Sequence, residues 1–567
     1  MNVEEAPIPA SGPSPTPAGA TPTAGRWTIA MIVVGVAVAV TIFVLVVLAG
    51  LGSSSVVARW VPVDTAVYGE VRLDLPGDQE ANLAAFLSNF PGFDDTSRLP
   101  AKLAELADRL IGAGSDGDLD YSRQIEPWFG GQIGFASRAD GSRQDRERGS
   151  GLVVATVTDV AKATEWLASV LGRDGATEVY DGVTITLVDE GAAWAITGGV
   201  LLVGDTASVK AAIDTSGSSA FASRSDVTTA RRELGGDQLV FAFADTAALG
   251  AAFERAVDEL PVPVPGLGDA AQKLPAWVAG GLRFEADAAV GSTVVPHIEG
   301  TTAVNAESVV PTRVPASTIV LLDAHDVGPR LTTAIESLGG TGDLGSIDGA
   351  LRLLGGAEGL VGWISEAAVV IDAGPAGPTG GVVATSSDAA ASQSLFTQLQ
   401  IAARLAGAEV QETDVAGTTV VSIELSGLDR LLGRAGLGDL GSGLLPIPVK
   451  GPIALSWAVQ GDLVVVGATA DFVRAVLATT SDTSLAATQA FTSMLDEAGR
   501  QHAAMGWLDV AAAIDLAESS AATTDRIEDY ATEIAPYLAP LDAALGTMVV
   551  GGSVDRSTIV VSVTESQ

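Results

Sequence analysis

The chain contains no cysteine, and that absence removes disulfides, thiolate zinc sites, iron–sulfur clusters and thiol nucleophiles together. It leaves the redox compartment open, since a cysteine-free protein suits either. Histidine is almost as scarce. His297, His325 and His502 are scattered, and none has a second histidine three or four residues away, so no metal-ligand pair can be read from spacing. Positive charge is short as well: 31 basic side chains stand against 69 acidic ones, for a net charge of −38 over 567 residues. Phosphate neutralisation dominates nucleic-acid affinity, so no nucleic-acid partner is expected. Nucleophile-elbow and P-loop patterns are missing. G-x-G-x-x-G occurs at Gly112–Gly117 and Gly436–Gly441, but neither follows a strand and opens a helix, so both are expected to be loops. No catalytic, cofactor-binding or metal-ligating residue is singled out, and no cofactor is called for.

What is present begins with an uncharged stretch between Arg26 and Arg59. Within it, Trp27 to Leu51 is apolar apart from two threonines. As a helix it would span about 37 Å at 1.5 Å per residue, enough for a bilayer core of about 30 Å. A cleaved signal peptide would need an apolar region of only about 7–15 residues, and no cysteine exists to carry a lipid anchor. Residues 27–51 are therefore predicted to be a single transmembrane helix and the contact with the membrane. One arginine on each flank leaves orientation unsettled by charge. The short tail, residues 1–26, has six prolines and no apolar periodicity and is expected to be disordered. The expected placement is a single-pass protein of the cell membrane with the bulk of the chain extracytoplasmic. Because residues 1–59 hold two acids and two arginines, the whole net charge lies on that bulk, which should stand off anionic headgroups.

The remainder reads as one module written twice. VPVDTAVYGEV at Val61 matches VPASTIVLLDA at Val314, and Trp128 falls against Trp363. Trp194 falls against Trp457, and QLVFAFAD at Gln238 matches HAAMGWLD at His502. Closing strands are expected to start at Gly280 and Gly551. The predicted domains are thus a first module over residues 60–310 and a second over 311–567, an internal duplication.

Within the first module, period-2 runs at Thr65–Leu73, Gln132–Ser137, Gly151–Val157, Val183–Val188, Ala193–Thr197, Val200–Gly204 and Gln238–Ala244 predict strands. Gly198-Gly199 predicts a hairpin turn. A helix is expected over Asp159–Leu171, capped by Asp159, with Val160, Ala163, Trp166, Leu167 and Val170 on one face. A second helix is expected over Thr206–Ile213, capped by Thr206. The class is α+β: an antiparallel sheet in each module, covered by helices on one side. The paired tryptophans are expected in the core. Asp116, Asp118 and Asp120 alternate as hard-cation ligands do, but Tyr121 and Pro127 stand where an EF-hand needs Gly and Glu, so a solvated loop is expected. Arg138, Arg143, Arg146 and Arg148, interleaved with acids, are expected in a surface loop between two strands.

Taken together, Val61-Pro62-Val63-Asp64-Thr65-Ala66, Phe90-Pro91-Gly92-Phe93, Asp120-Tyr121 and Pro127-Trp128-Phe129-Gly130-Gly131 resemble the bacterial membrane-anchored proteins grouped as domain of unknown function 3352. The resemblance is best over residues 60–245. The second module departs from it, with Gly362 in place of Pro127 and no Phe-Pro-Gly-Phe. It implies an N-terminal anchor and an extracytoplasmic body, and no activity. The functional expectation is a non-enzymatic binding or scaffold protein of the cell envelope whose partner is an envelope lipid, glycan or protein. The alternative is an envelope hydrolase using a carboxylate pair.

Overall fold

The computed structural model describes residues 55–93, 95–114, 120–139, 151–170, 175–188, 191–218, 221–250, 275–298, 303–339, 355–374, 377–405, 407–424, 454–521 and 534–564. The expected tail (1–26) and membrane helix (27–51) lie outside them, as do Gly436–Gly441, Asp116, Asp118 and three of the four clustered arginines. Among the described residues no helix is long and apolar enough to cross a membrane.

Among the described residues, twenty strands alternate with helices. The first half supplies β1 (Thr65–Arg72), β2 (Phe129–Arg138), β3 (Leu152–Val157), β4 (Thr177–Tyr180), β5 (Val183–Leu187), β6 (Ala192–Thr197), β7 (Val200–Asp205), β8 (Val240–Ala244), β9 (Val278–Phe284) and β10 (Ala288–Pro296). The second supplies β11 (Thr318–His325), β12 (Ile364–Asp372), β13 (Thr379–Ser386), β14 (Val410–Val415), β15 (Thr418–Glu424), β16 (Ala454–Gln460), β17 (Leu463–Gly467), β18 (Ala504–Asp509), β19 (Leu541–Val549) and β20 (Val554–Val563).

All strands join one antiparallel sheet. Following its ladders gives β4–β5–β6–β7–β3–β2–β1–β8–β9–β10 and then β20–β19–β18–β11–β12–β13–β17–β16–β15–β14. Read from the other end, the order is the same with ten added or subtracted. The halves meet where β10 pairs with β20, from Ala288 opposite Ser562 to Pro296 opposite Val554. The expected closing-strand match is out of step by one hairpin arm. Gly280 lies within β9, whereas Gly551 takes φ +114° in the turn between β19 and β20, a conformation that glycine tolerates.

Helices cover the sheet from both sides, not from one. α1 (Val160–Val170) packs on one face through Ala163 and Leu167, against Trp128, Ala155 and Leu201. α2 (Thr206–Asp214) and α3 (Ser225–Leu234) pack on the other, against Val154, Leu202 and Phe241. The cause is visible in β3 and β7, where Leu152-Val153-Val154-Ala155 and Val200-Leu201-Leu202-Val203 are unbroken apolar runs suited to burial on both faces. In the second half α4 (Ala470–Ala478) and α5 (Gln489–Ala498) cover the same face as α2 and α3, and Phe472, Val476, Phe491 and Leu495 are buried there. Asp159 caps α1 as expected, accepting from the Ala161 and Lys162 amides. Val160 and Val170 at its ends stay exposed. The cap of α2 is Asp205, which accepts from the Ser208 amide, and not Thr206.

Trp128, Trp363 and Trp457 are buried as expected, whereas Trp194 is half-buried. Trp128 Nε1 donates to the Gln124 carbonyl at 2.8 Å and Trp363 Nε1 to the Leu360 carbonyl at 2.9 Å, so both indoles are tied to the turn before their strand. Asp120 accepts from the Arg123 amide and caps the turn Tyr121–Ile125.

Candidate functional site: a buried histidine and carboxylate cluster

Inward positions of β11 alternate with outward ones, so Leu321, Asp323 and His325 point to the same core face. Opposite His325 stands Glu366 of β12. His502, just before β18, is pinned to Ala306 by two backbone hydrogen bonds. These pairings gather Ser308, Asp323, His325, Glu366 and His502 under the segment joining the halves, and all five are buried.

Ser308 Oγ is the hub. It lies 2.5 Å from Asp323 Oδ2, 2.9 Å from His502 Nε2 and 3.2 Å from His325 Nε2. One oxygen each from Asp323, and one ring nitrogen each from His325 and His502, fall within 4.8 Å of one another. Glu366 accepts from the Val309 and Val310 amides at 2.8–3.1 Å. Burial, and then the Glu366 carboxylate, push the Asp323 carboxyl up to about 7. Burial also raises Glu366, with the two amides opposing it. Both histidines are lowered, chiefly by burial, so each is neutral at pH 7. His502 Nδ1 faces the Gly499 carbonyl at 3.2 Å, which only an Nδ1–H can satisfy, and its Nε2 lone pair therefore points at Ser308.

The first half carries a polar cluster at the matching places, with different chemistry. Ser55, Glu70, Arg72, Gln132 and Gln238 stand where Ser308, Asp323, His325, Glu366 and His502 stand. Arg72 faces Gln132 as His325 faces Glu366. Ser55 donates to Glu70, and Gln132 accepts from the Val56 amide at 2.7 Å. Gln238 donates to the Gly235 carbonyl as His502 does to that of Gly499. Here a cation closes the account: Arg231 of α3 bonds Glu70 at 2.8 Å, and Tyr68 donates to the same carboxylate at 2.6 Å. Burial raises the Glu70 carboxyl, but the Arg231 guanidinium and the Ser55 and Tyr68 hydroxyls together outweigh it and hold the group below its ordinary value. The place of Arg231 is taken in α5 by Leu495, so the Asp323–Glu366 cluster has two buried carboxyl groups and no arginine in the place of Arg231.

Sequence spacing missed this site because Ser308 comes from the joining segment, Asp323 and His325 from β11, Glu366 from β12 and His502 from just before β18. The signal that could have found it is the polar interruption of apolar strand positions at the same place in both halves. The third histidine is elsewhere: His297 Nδ1 is 2.8 Å from Asp555 and clips the β19–β20 turn. Nor is Ser308–His502 a nucleophile pair of the hydrolase kind. Asp323 bonds the serine and not the imidazole, and every member of the group is buried.

Two further features face outward. On the sheet face opposite the cluster, Leu282, Gly291, Ile559, Gly546, Gly506 and Leu322 stand side by side in consecutive strands. Ile559 and Leu322 are 56% and 57% exposed there. A shallow groove of about 450 Å³ is lined by Pro315, Ser317, Asp372, Gly374, Ala475 and Thr479.

The sequence profile of a family described as "Protein of unknown function (DUF3352)" matches residues 27–544. The chain belongs to this family. The DUF3352 match begins at Trp27 and so takes in the apolar run, the first half and the second half as far as Ala544 in β19. No curated protein matches. Crystal forms III, IV and I of TP0453 align over 44%, 42% and 44% of the chain and 82%, 79% and 82% of their own, at 10–12% identity and TM-scores of 0.22–0.23. A likeness at that level carries no functional argument.

Proposed function

We propose that this DUF3352 chain is a membrane-tethered extracytoplasmic binding or scaffold protein, without catalysis, built from duplicated modules over residues 60–310 and 311–567. The tether is the charge-free run 27–51, and Val57, a few residues beyond it, is already core. Support for duplication comes from the palindromic strand order and from the matched Ser55 and Ser308 clusters. The observation that carries the binding reading is the open apolar row around Ile559 and Leu322, which suits acyl chains or another apolar surface. A lipid or glycolipid ligand is its specific form. The hydrolase alternative is not favoured, because the Asp323–Glu366 pair is sealed from substrate.

The absence of cysteine makes topology directly testable. Ser14→Cys and Val179→Cys are introduced singly, and intact cells are treated with a membrane-impermeant maleimide. Labelling of Val179→Cys alone, with a chain that resists alkaline extraction, is the expected result. Release of the chain by alkaline carbonate overturns the tether, and labelling of Ser14→Cys alone reverses the orientation.

A further inference from the structure

We infer that Asp323, His325 and His502, gathered around Ser308, form a binding site for one divalent transition-metal ion of the zinc class. Donor chemistry gives the class. Two imidazoles and a carboxylate suit zinc and its neighbours, whereas calcium and magnesium select oxygen alone. Ligand atoms of a tetrahedral zinc at ~2.0–2.1 Å stand about 3.3 Å apart, and these three atoms already lie within 4.8 Å.

Three independent observations ask for a cation. Hydrogen counting is the first. Ser308 has a single hydroxyl hydrogen, and an ionised Asp323 Oδ2 and the His502 Nε2 lone pair would both require it, so the group is balanced only if Asp323 holds a proton or a cation replaces that proton. The second is Asp323 Oδ1, which is buried in a residue only 3% exposed and has the Glu366 carboxyl, not a cation, as its charged neighbour. Leaving a carboxylate oxygen buried beside another carboxyl is costly unless a proton or a metal meets it. The third is the comparison between halves. Arg231 neutralises Glu70, and at the corresponding place in the second half Leu495 leaves Asp323 and Glu366 without any such partner.

The surroundings are those of ligand support. The Gly499 carbonyl fixes the tautomer and ring orientation of His502, and the Val309 and Val310 amides hold Glu366 against the group. The segment carrying Ala306 and Ser308 joins the two halves and roofs the site, so occupancy would fasten that joint.

The test uses the full-length chain in mild detergent, stripped with a chelator and titrated with Co²⁺ and Zn²⁺. One tight Co²⁺ per chain is expected, with visible absorption of a four-coordinate nitrogen and oxygen site. His502→Gln, which installs the first-half residue, should weaken binding by more than the roughly 10–100-fold that loss of an outer partner costs. His297→Gln should leave it unchanged. With 69 acidic side chains, weak surface binding at many sites is the competing outcome. Multiple equivalents unaffected by His502→Gln mean surface carboxylates only, and overturn the site. So does the absence of tight binding. Should His502→Gln fail to fold, X-ray absorption on the metal-loaded native chain decides: two imidazole scatterers are required, and fewer refute it.

Discussion

Arg556 of β20 bonds Glu233 of α3 at 3.1 Å, across the line where the two halves of the sheet meet. Its counterpart runs the other way: Arg283 of β9 pairs with Glu497 of α5, the residue that matches Glu233. Each half therefore offers one acidic helix end to an arginine strand of the other. These pairs are half-exposed, and such contacts are worth about 1 kcal/mol or less. The strength of the joint lies beneath them, where Val290 and Val560 face each other in the β10–β20 ladder, fully buried.

Denaturant titration should separate the two contributions. Glu233→Gln should cost under about 1 kcal/mol, and less still at high salt. Val560→Ala should cost about 2–3 kcal/mol from lost burial and the cavity left behind. A salt-dependent loss larger for Glu233→Gln than for Val560→Ala would show that the ion pairs dominate.

Glu70 and Arg231 set an acid limit on the first half. The Glu70 carboxyl is lower in the folded chain than unfolded, so its stabilisation is present above the ordinary carboxylate pKa and disappears as pH falls through the folded value. Arg231→Leu leaves that carboxylate buried alone and should cost about 3–5 kcal/mol at pH 7. The deficit should shrink on acidification, as Glu70 takes up a proton. Melting curves from pH 7 to pH 4 check this, and a pH-independent deficit would argue for packing alone.

Gly198 and Gly199 form the β6–β7 turn with φ of +55° and +80°. A Cβ on Gly198 would come within 2.4 Å of the Trp60 ring, whereas one on Gly199 meets nothing within 4 Å. Gly199→Ala should show the left-handed penalty, about 1 kcal/mol, and Gly198→Ala clearly more. Equal melting temperatures would mean that Trp60 yields freely.

Ile559→Glu and Leu322→Glu place charge on the exposed sheet face. Because both side chains are more than half exposed, stability should change by no more than about 0.5 kcal/mol. Binding of a fluorescent fatty acid should fall sharply in the double variant. Undiminished binding would move any lipid site elsewhere.

Much of the fold was legible because local signals were strong. β5 through β7 lie where the period-2 runs place them, and the Gly198-Gly199 turn and the Asp159 cap follow from residue type. Helix cover on both faces was harder to read, although the unbroken apolar runs of β3 and β7 carried it. The closing-strand match failed because Gly280 and Gly551 look alike in sequence while one is extended and the other turns. The histidine cluster was invisible to spacing rules for a different reason. His325 and His502 become neighbours only through the β11–β18 ladder, and a long-range pairing leaves no local trace.

The position of β20 has a consequence for how the chain is made. Its two neighbours are β10 and β19, so among the described strands the one that joins the halves is the last to be synthesised. Until it arrives, the first half ends on an unpaired β10 and the second on an unpaired β19, two open edges within one nascent chain. A message that stops short of Val554 would thus yield two nearly finished sheets with sticky margins, and proteolysis or aggregation would follow for want of one strand.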